Sequence, residues 1–105
     1  MVDEVFKSDV AGASKIDDRI EKLRKYGLEL LATNIMKRLS VADSHLYELI
    51  PGAYRVIVYH DTKQSKFILL HGFRKKRQRQ DKDIDHARRL LREYLLKAGQ
   101  KQKRK

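Results

Sequence analysis

The chain has 105 residues and no cysteine, and its 25 lysines and arginines against 14 aspartates and glutamates give a net charge of +11. That length allows one domain with one modest core, and without cysteine there is neither a disulfide framework nor thiolate chemistry. No apolar run approaches the roughly 20 residues that span a bilayer, and the opening MVDEVFKS is acidic and polar rather than signal-like, so a cytoplasmic protein without membrane contact is expected. The positive charge is unevenly spread: residues 71–105 hold 14 Lys/Arg against 4 Asp/Glu, and the rest of the chain is nearly balanced. Such asymmetry points to a polyanionic partner, which for a cytoplasmic domain is usually nucleic acid.

In chain order, Val2, Val5 and Phe6 are spaced for a short opening helix. Ser14 is placed as an N-cap with Asp17 three residues on. Ile16, Ile20 and Leu23 then recur at helical spacing, and Gly27 stands where such a helix stops. Leu28, Leu31, Ile35 and Leu39 continue a helical period across Thr33-Asn34, so a second, looser helix ending near Leu39 is expected, followed by a polar loop over 40–44. A strand over 46–50 runs into Pro51-Gly52, where proline suits the second turn position and glycine accepts a positive φ. Tyr54 to His60 is mostly β-branched or aromatic and reads as the most secure strand. After Asp61-Thr62-Lys63-Gln64 a second run, Lys66 to His71, completes an antiparallel hairpin that Gly72 should end.

Five of the six residues from Arg74 to Arg79 are cationic. Beyond them Asp81 or Asp83 can cap a last helix whose apolar stripe is Ile84, Ala87, Leu91 and Leu95, with Arg88, Arg89 and Arg92 on the other face. Gly99 should end it, leaving residues 99–105 as a basic, disordered tail to a single domain over 1–98. Because no helical crossover separates the strands, the fold class is α+β: a small antiparallel sheet with two N-terminal helices on one face and a C-terminal helix.

The strings LYEL, GAYRV, ILLHGFRKK and, in the last helix, LREY together resemble the HigB-like branch of the RelE/ParE toxin superfamily. The likeness covers residues 2–95, and LLHGFRKK is its most specific part. It implies the toxin of a type II toxin–antitoxin pair, an endoribonuclease that enters the ribosomal A site and cuts mRNA without a metal or other cofactor. The implied partners are the ribosome, mRNA and a cognate antitoxin of helix-turn-helix type, through which alone operator DNA would be met. The chain departs from the branch at Ile50, where an arginine often follows the YEL segment, and in opening at a segment that a further strand usually precedes.

Cutting RNA through its own 2′-OH requires removing that proton, stabilising negative charge on the phosphorane and protonating the departing 5′ oxygen. Arg55, mid-strand in an apolar run, matches by resemblance the basic residue that contacts the scissile phosphate; the alternative is an arginine paired with Glu48. Lys75 and Lys76 follow the last strand within a run of like charge, as acid or base or as a solvated loop that holds phosphate. His71 is the best-placed histidine for proton transfer, although strand alternation puts it beside Phe67 and Leu69 as a core or edge residue. Tyr94 could stack on a base or donate a proton, or sit at the core edge. Lys37, Arg38, Arg74, Arg77, Arg79 and Lys82 are candidate phosphate contacts that position without specifying. His45, His60 and His86 are less well motivated, and the absence of HxH or HExxH spacing argues against a metal site. Two other functions fit the same residues: a ParE-like gyrase inhibitor and a non-catalytic basic RNA- or ribosome-binding protein.

Overall fold

The computed structural model describes residues 10–40, 43–75 and 81–103. The expected opening helix at Val2–Phe6 lies outside them, as do Lys76, Arg77 and Arg79. Helix α1 spans Val10–Tyr26, a short 3₁₀ helix spans Gly27–Ala32, and four strands follow: β1 (Met36–Arg38), β2 (Leu46–Leu49), β3 (Tyr54–Asp61) and β4 (Lys66–Arg74). Helix α2, Asp81–Lys103, closes the chain. The strands form one antiparallel sheet in the order β1-β2-β3-β4. No helix among the described residues is long and apolar enough to cross a membrane.

Several local expectations change. Ser14 lies inside α1 rather than at its cap, because Ala11 and Ala13 are strong helix formers and a single Gly12 costs only about 1 kcal/mol. Gly27 does end α1, with φ +59, a conformation that a side chain would strain. The second helix is replaced by the 3₁₀ turn and strand β1. The cause is Thr33: its hydroxyl donates to the Leu30 carbonyl at 2.6 Å and accepts from the Ile35 N–H at 3.1 Å. A side chain that bonds its own backbone in this way competes with helix propagation, and Ile35 instead accepts from the Ile50 N–H. The turn after β2 is closed by the Tyr54 N–H on the Pro51 carbonyl, so proline holds the first position rather than the second, while Gly52 takes φ +66 as expected. Gly72 does not end β4, which continues to Arg74. Gly99 does not end α2, which runs on to Lys103, since one glycine among lysine, glutamine and alanine weakens a helix without stopping it.

The sheet has a helix on each face, not two N-terminal helices on one. On the first face α1 and the 3₁₀ helix supply Ile16, Leu23 and Leu30, which pack on Met36, Tyr47, Leu49, Tyr54, Val56 and Val58. On the second, Ala87, Leu90 and Leu91 of α2 pack on Leu46, Ile57, Leu70 and Phe73. Leu95, expected in this stripe, is 46% exposed. Register partners share a face, so Glu48 (opposite Ile57), Arg55 (opposite Phe73) and Asp61 all belong to the α2 side. These are the buried charged residues among those described.

Each has its partners nearby in the chain or sheet. Arg55 Nε lies 3.0 Å from Glu48 Oε1, and its NH1 donates to the carbonyls of Gly52 and Tyr54 at 2.8 and 2.6 Å. The Nε contact is Coulombic, because its N–H is not aligned on the carboxylate. Asp61 accepts from the Lys63 and Gln64 backbone N–H groups and, at 2.6 Å, from the Tyr94 hydroxyl. At a third point, Arg88 of α2 reaches the β1–β2 loop through Asp43 at 2.7 Å.

Two outcomes follow for stability. Arg55→Ala strands the buried Glu48 carboxylate and should destabilise the fold by about 3–5 kcal/mol, whereas the double replacement Glu48→Leu/Arg55→Met should recover most of that loss; urea unfolding measures both. The Tyr94 hydroxyl is the largest influence holding the Asp61 pKa below the ordinary carboxylate value. A lowered carboxylate pKa contributes stability above its unfolded value and loses it as pH falls through the folded one. Tyr94→Phe should therefore lower the thermal midpoint at neutral pH, and the gap from wild type should close in acid. A gap that is constant from pH 7 to pH 2 would show that Asp61 is not the group involved.

Candidate functional site

The pairing of β3 with β4 is regular from Asp61/Lys66 to Val58/Leu69, but Ile57 then pairs with His71. Leu70 is thus the extra residue of a β-bulge, a device that bends a strand and re-aims the side chains beyond it. Alternation alone groups His71 with Phe67 and Leu69, which pack toward α1. Leu70 follows Ile68 into the core on the α2 side, and the bulge turns His71 to that side as well, against the start of the helix.

There His71 Nε2 stands 2.9 Å from Asp83 Oδ1, with the two side chains 16% and 34% exposed. The His86 ring meets His71 edge-on at 4.7 Å, and Phe73 lies nearly parallel to it at 5.6 Å. Asp83 and His86 are three residues apart on α2 and so share a helix face. Sequence reasoning had treated Asp83 only as a possible cap and His86 as a weak candidate. The D-x-x-H spacing was the available signal, but its meaning depended on which way His71 pointed.

Cations flank this cluster. Lys75 directly follows β4, exposed, with its backbone N–H donating to Ala53 at 2.9 Å. Lys82 is exposed beside Asp83 at the start of α2. Arg74 is exposed on the opposite face, its guanidinium over the Tyr54 ring at 6.0 Å. Lys37 and Arg38 occupy the far edge strand; Lys37, opposite Glu48, is on the α2 side, while Arg38 lies over the Tyr47 ring on the other.

Two expected site residues are held elsewhere. Arg55 is 8% exposed and committed to Glu48 and two backbone carbonyls, which is the structural alternative for this residue. Tyr94 is bonded to Asp61 and Gln64 and touches Tyr59 edge-on. Its hydroxyl pKa is pushed up to about 12, chiefly by the Asp61 hydrogen bond, so it keeps its proton. Eleven residues of helix, about 16 Å, separate it from Asp83. It joins the hairpin tip to α2 rather than joining the His71 cluster. Among the described residues no group of three His, Cys, Asp or Glu side chains is arranged to hold a metal ion.

Comparison with curated proteins returns no match. A family model does match, over residues 3–92, and its description is "Phage derived protein Gp49-like". This is a family of the RelE/HigB-like toxin type, which implies an antitoxin partner without singling out HigB. The match takes in α1, the whole sheet, the basic run and the first half of α2, so the chain belongs to the Gp49-like family of toxin–antitoxin toxins.

Proposed function

We propose that this toxin is an endoribonuclease that acts on mRNA at the ribosome, with the chemistry centred on His71 at the end of β4. The observation that carries the reading is a proton-transfer group between two exposed cations of the chain: the bulge sets His71 against Asp83 at the start of α2, with Lys75 following at the end of the same strand and Lys82 next to Asp83. In the proposed reaction the RNA 2′ oxygen attacks the adjacent phosphorus as its proton passes to His71, and the bond to the 5′ oxygen breaks. That oxygen leaves with a proton from solvent. Lys75, Lys82 and the run that includes Lys76, Arg77 and Arg79 hold phosphate and oppose the charge that builds on the phosphorane. Lys37 extends the cationic surface across the sheet, while Arg55 supports the β2–β3 turn from within.

An antitoxin has to silence this surface, and an acidic segment laid over residues 74–82 would do so by charge complementarity. A helix-turn-helix antitoxin and cytoplasmic action belong to the same reading. The non-catalytic alternative draws on the burial of Arg55 and the engagement of Tyr94, which remove two of the side chains expected to act.

Translating ribosomes incubated with the protein should yield mRNA fragments ending in 2′,3′-cyclic phosphate. His71→Ala should slow that cleavage by about 10²-fold or more, the scale of a lost general base, and should relieve the growth arrest caused by expression without an antitoxin. Ribosome association without any cleavage would favour the binding protein instead. Affinity for single-stranded RNA should fall steeply with salt, and Lys75→Ala/Lys82→Ala should flatten the slope of log affinity against log salt by about 1.4, since each single-strand phosphate contact contributes about 0.7. An affinity indifferent to salt would remove the polyanion reading.

A further inference from the structure

Asp83 has no part in the reading above, yet it makes the shortest polar contact of the histidine on which that reading turns. A carboxylate has no hydrogen to give and can only accept. A neutral imidazole bonded to it through Nε2 therefore carries its hydrogen on Nε2 and its lone pair on Nδ1. The second nitrogen is set by what the first one bonds.

The surroundings hold that arrangement. His71 is fixed to β4 by the bulge, its ring is flanked by Phe73 at 5.6 Å and by the His86 edge at 4.7 Å, and its side chain is 16% exposed. Asp83 is equally constrained, because α2 is anchored further along by Arg88 on Asp43 and by Tyr94 on Asp61. From the helix, Asp83 and His86 contact His71. From the sheet its partner across the strands is Ile57, buried and apolar. Asp83 is the carboxylate in direct contact with this ring.

We infer that Asp83 is the positioning residue of a His–Asp dyad in which His71 Nδ1 is the base. This rests on the proposed RNA cleavage. The 2′-hydroxyl proton passes to Nδ1 as the 2′ oxygen bonds to phosphorus, Asp83 stabilises the imidazolium so formed, and the ring returns its proton to solvent after the 5′ oxygen has left. Withdrawing the carboxylate would leave His71 in place with its tautomer undetermined, because an asparagine side chain presents both an acceptor and a donor to Nε2.

The test combines nitrogen-15 NMR of the histidine rings with cleavage on translating ribosomes, using the intact chain. In the wild-type protein at neutral pH, His71 should be the Nε2–H tautomer. Asp83→Asn should raise the Nδ1–H population and cut kcat by about 10²-fold or more, the range of general-base catalysis, with KM little changed. A residue that only fastened α2 to the sheet would change the melting temperature without that pairing of tautomer and rate. An Nδ1–H ring in the wild type would overturn the proposal without any variant having to fold. A folded Asp83→Asn protein that cleaves at the wild-type rate would overturn it while leaving the nuclease reading standing. Failure of the wild type itself to cleave would instead remove the nuclease reading, and the dyad's chemical role with it.

Discussion

A strand can present alternate residues to alternate faces only while its pairing stays in step, and in β4 the step is broken once, at Leu70. The inserted residue forfeits regular ladder geometry, and the loss is offset where it occurs: Leu70 is 4% exposed in the second core, and His71 gains the Asp83 contact. The side chains from His71 onward depend on this slip. Phe73 joins the α2 core, Arg74 turns to the first face, and Lys75 is tied back to Ala53 as the chain leaves the sheet. With a regular ladder, His71 would lie under α1 among Val58, Phe67 and Leu69, away from the last helix and from Lys82.

The two faces of the sheet do different work. The α1 face is a conventional apolar core, in which Leu49, Val56 and Val58 are wholly buried, each contributing roughly 1.5–3 kcal/mol by leaving water. On the α2 face the apolar patch is smaller and three polar contacts are spread along it: Glu48 with Arg55, His71 with Asp83, and Asp61 with Tyr94. A buried charge is costly unless paired; the Glu48–Arg55 pair meets that need within the sheet, while His71 with Asp83 and Asp61 with Tyr94 fix the position of α2 more narrowly than hydrophobic packing alone would. Arg88 on Asp43 adds a tether to the β1–β2 loop, and the hydrogen bond from Arg88 holds the Asp43 pKa below the ordinary carboxylate range.

This layout separates support from chemistry. A guanidinium in the middle of a sheet is an attractive candidate for meeting phosphate, but Arg55 is turned inward, where it pairs with the Glu48 carboxylate and donates to the Gly52 and Tyr54 carbonyls. The accessible cations stand at the end of β4 and the beginning of α2 instead. The end of β4 and the start of α2 supply the imidazole and the carboxylate from residues 12 apart in sequence.

Much was legible in the residues themselves. The β-branched run over Tyr54–His60, the positive-φ glycines at 27 and 52, the hairpin, the periodic helix α1 and the concentration of charge after residue 70 are local signals, and each reappears in the fold. The LLHGFRKK string also pointed to a toxin of the toxin–antitoxin type, though not to its branch, because side-chain identities along a strand end carry family resemblance without any knowledge of where they point. Other features could not be read this way. Thr33 redirected a helical period into strand β1 through two hydrogen bonds, and Glu48 claimed Arg55 across a strand pair. The bulge at Leu70 moved His71 from one face to the other. Strand register and bulges are set by the competition between two cores for the same residues, a balance that exists only once both helices are docked. The sequence by itself therefore determined the strongly patterned elements, α1 and the β3–β4 hairpin, and where the cations gather, whereas tertiary packing decided which face each strand residue serves, and hence that His71 meets Asp83.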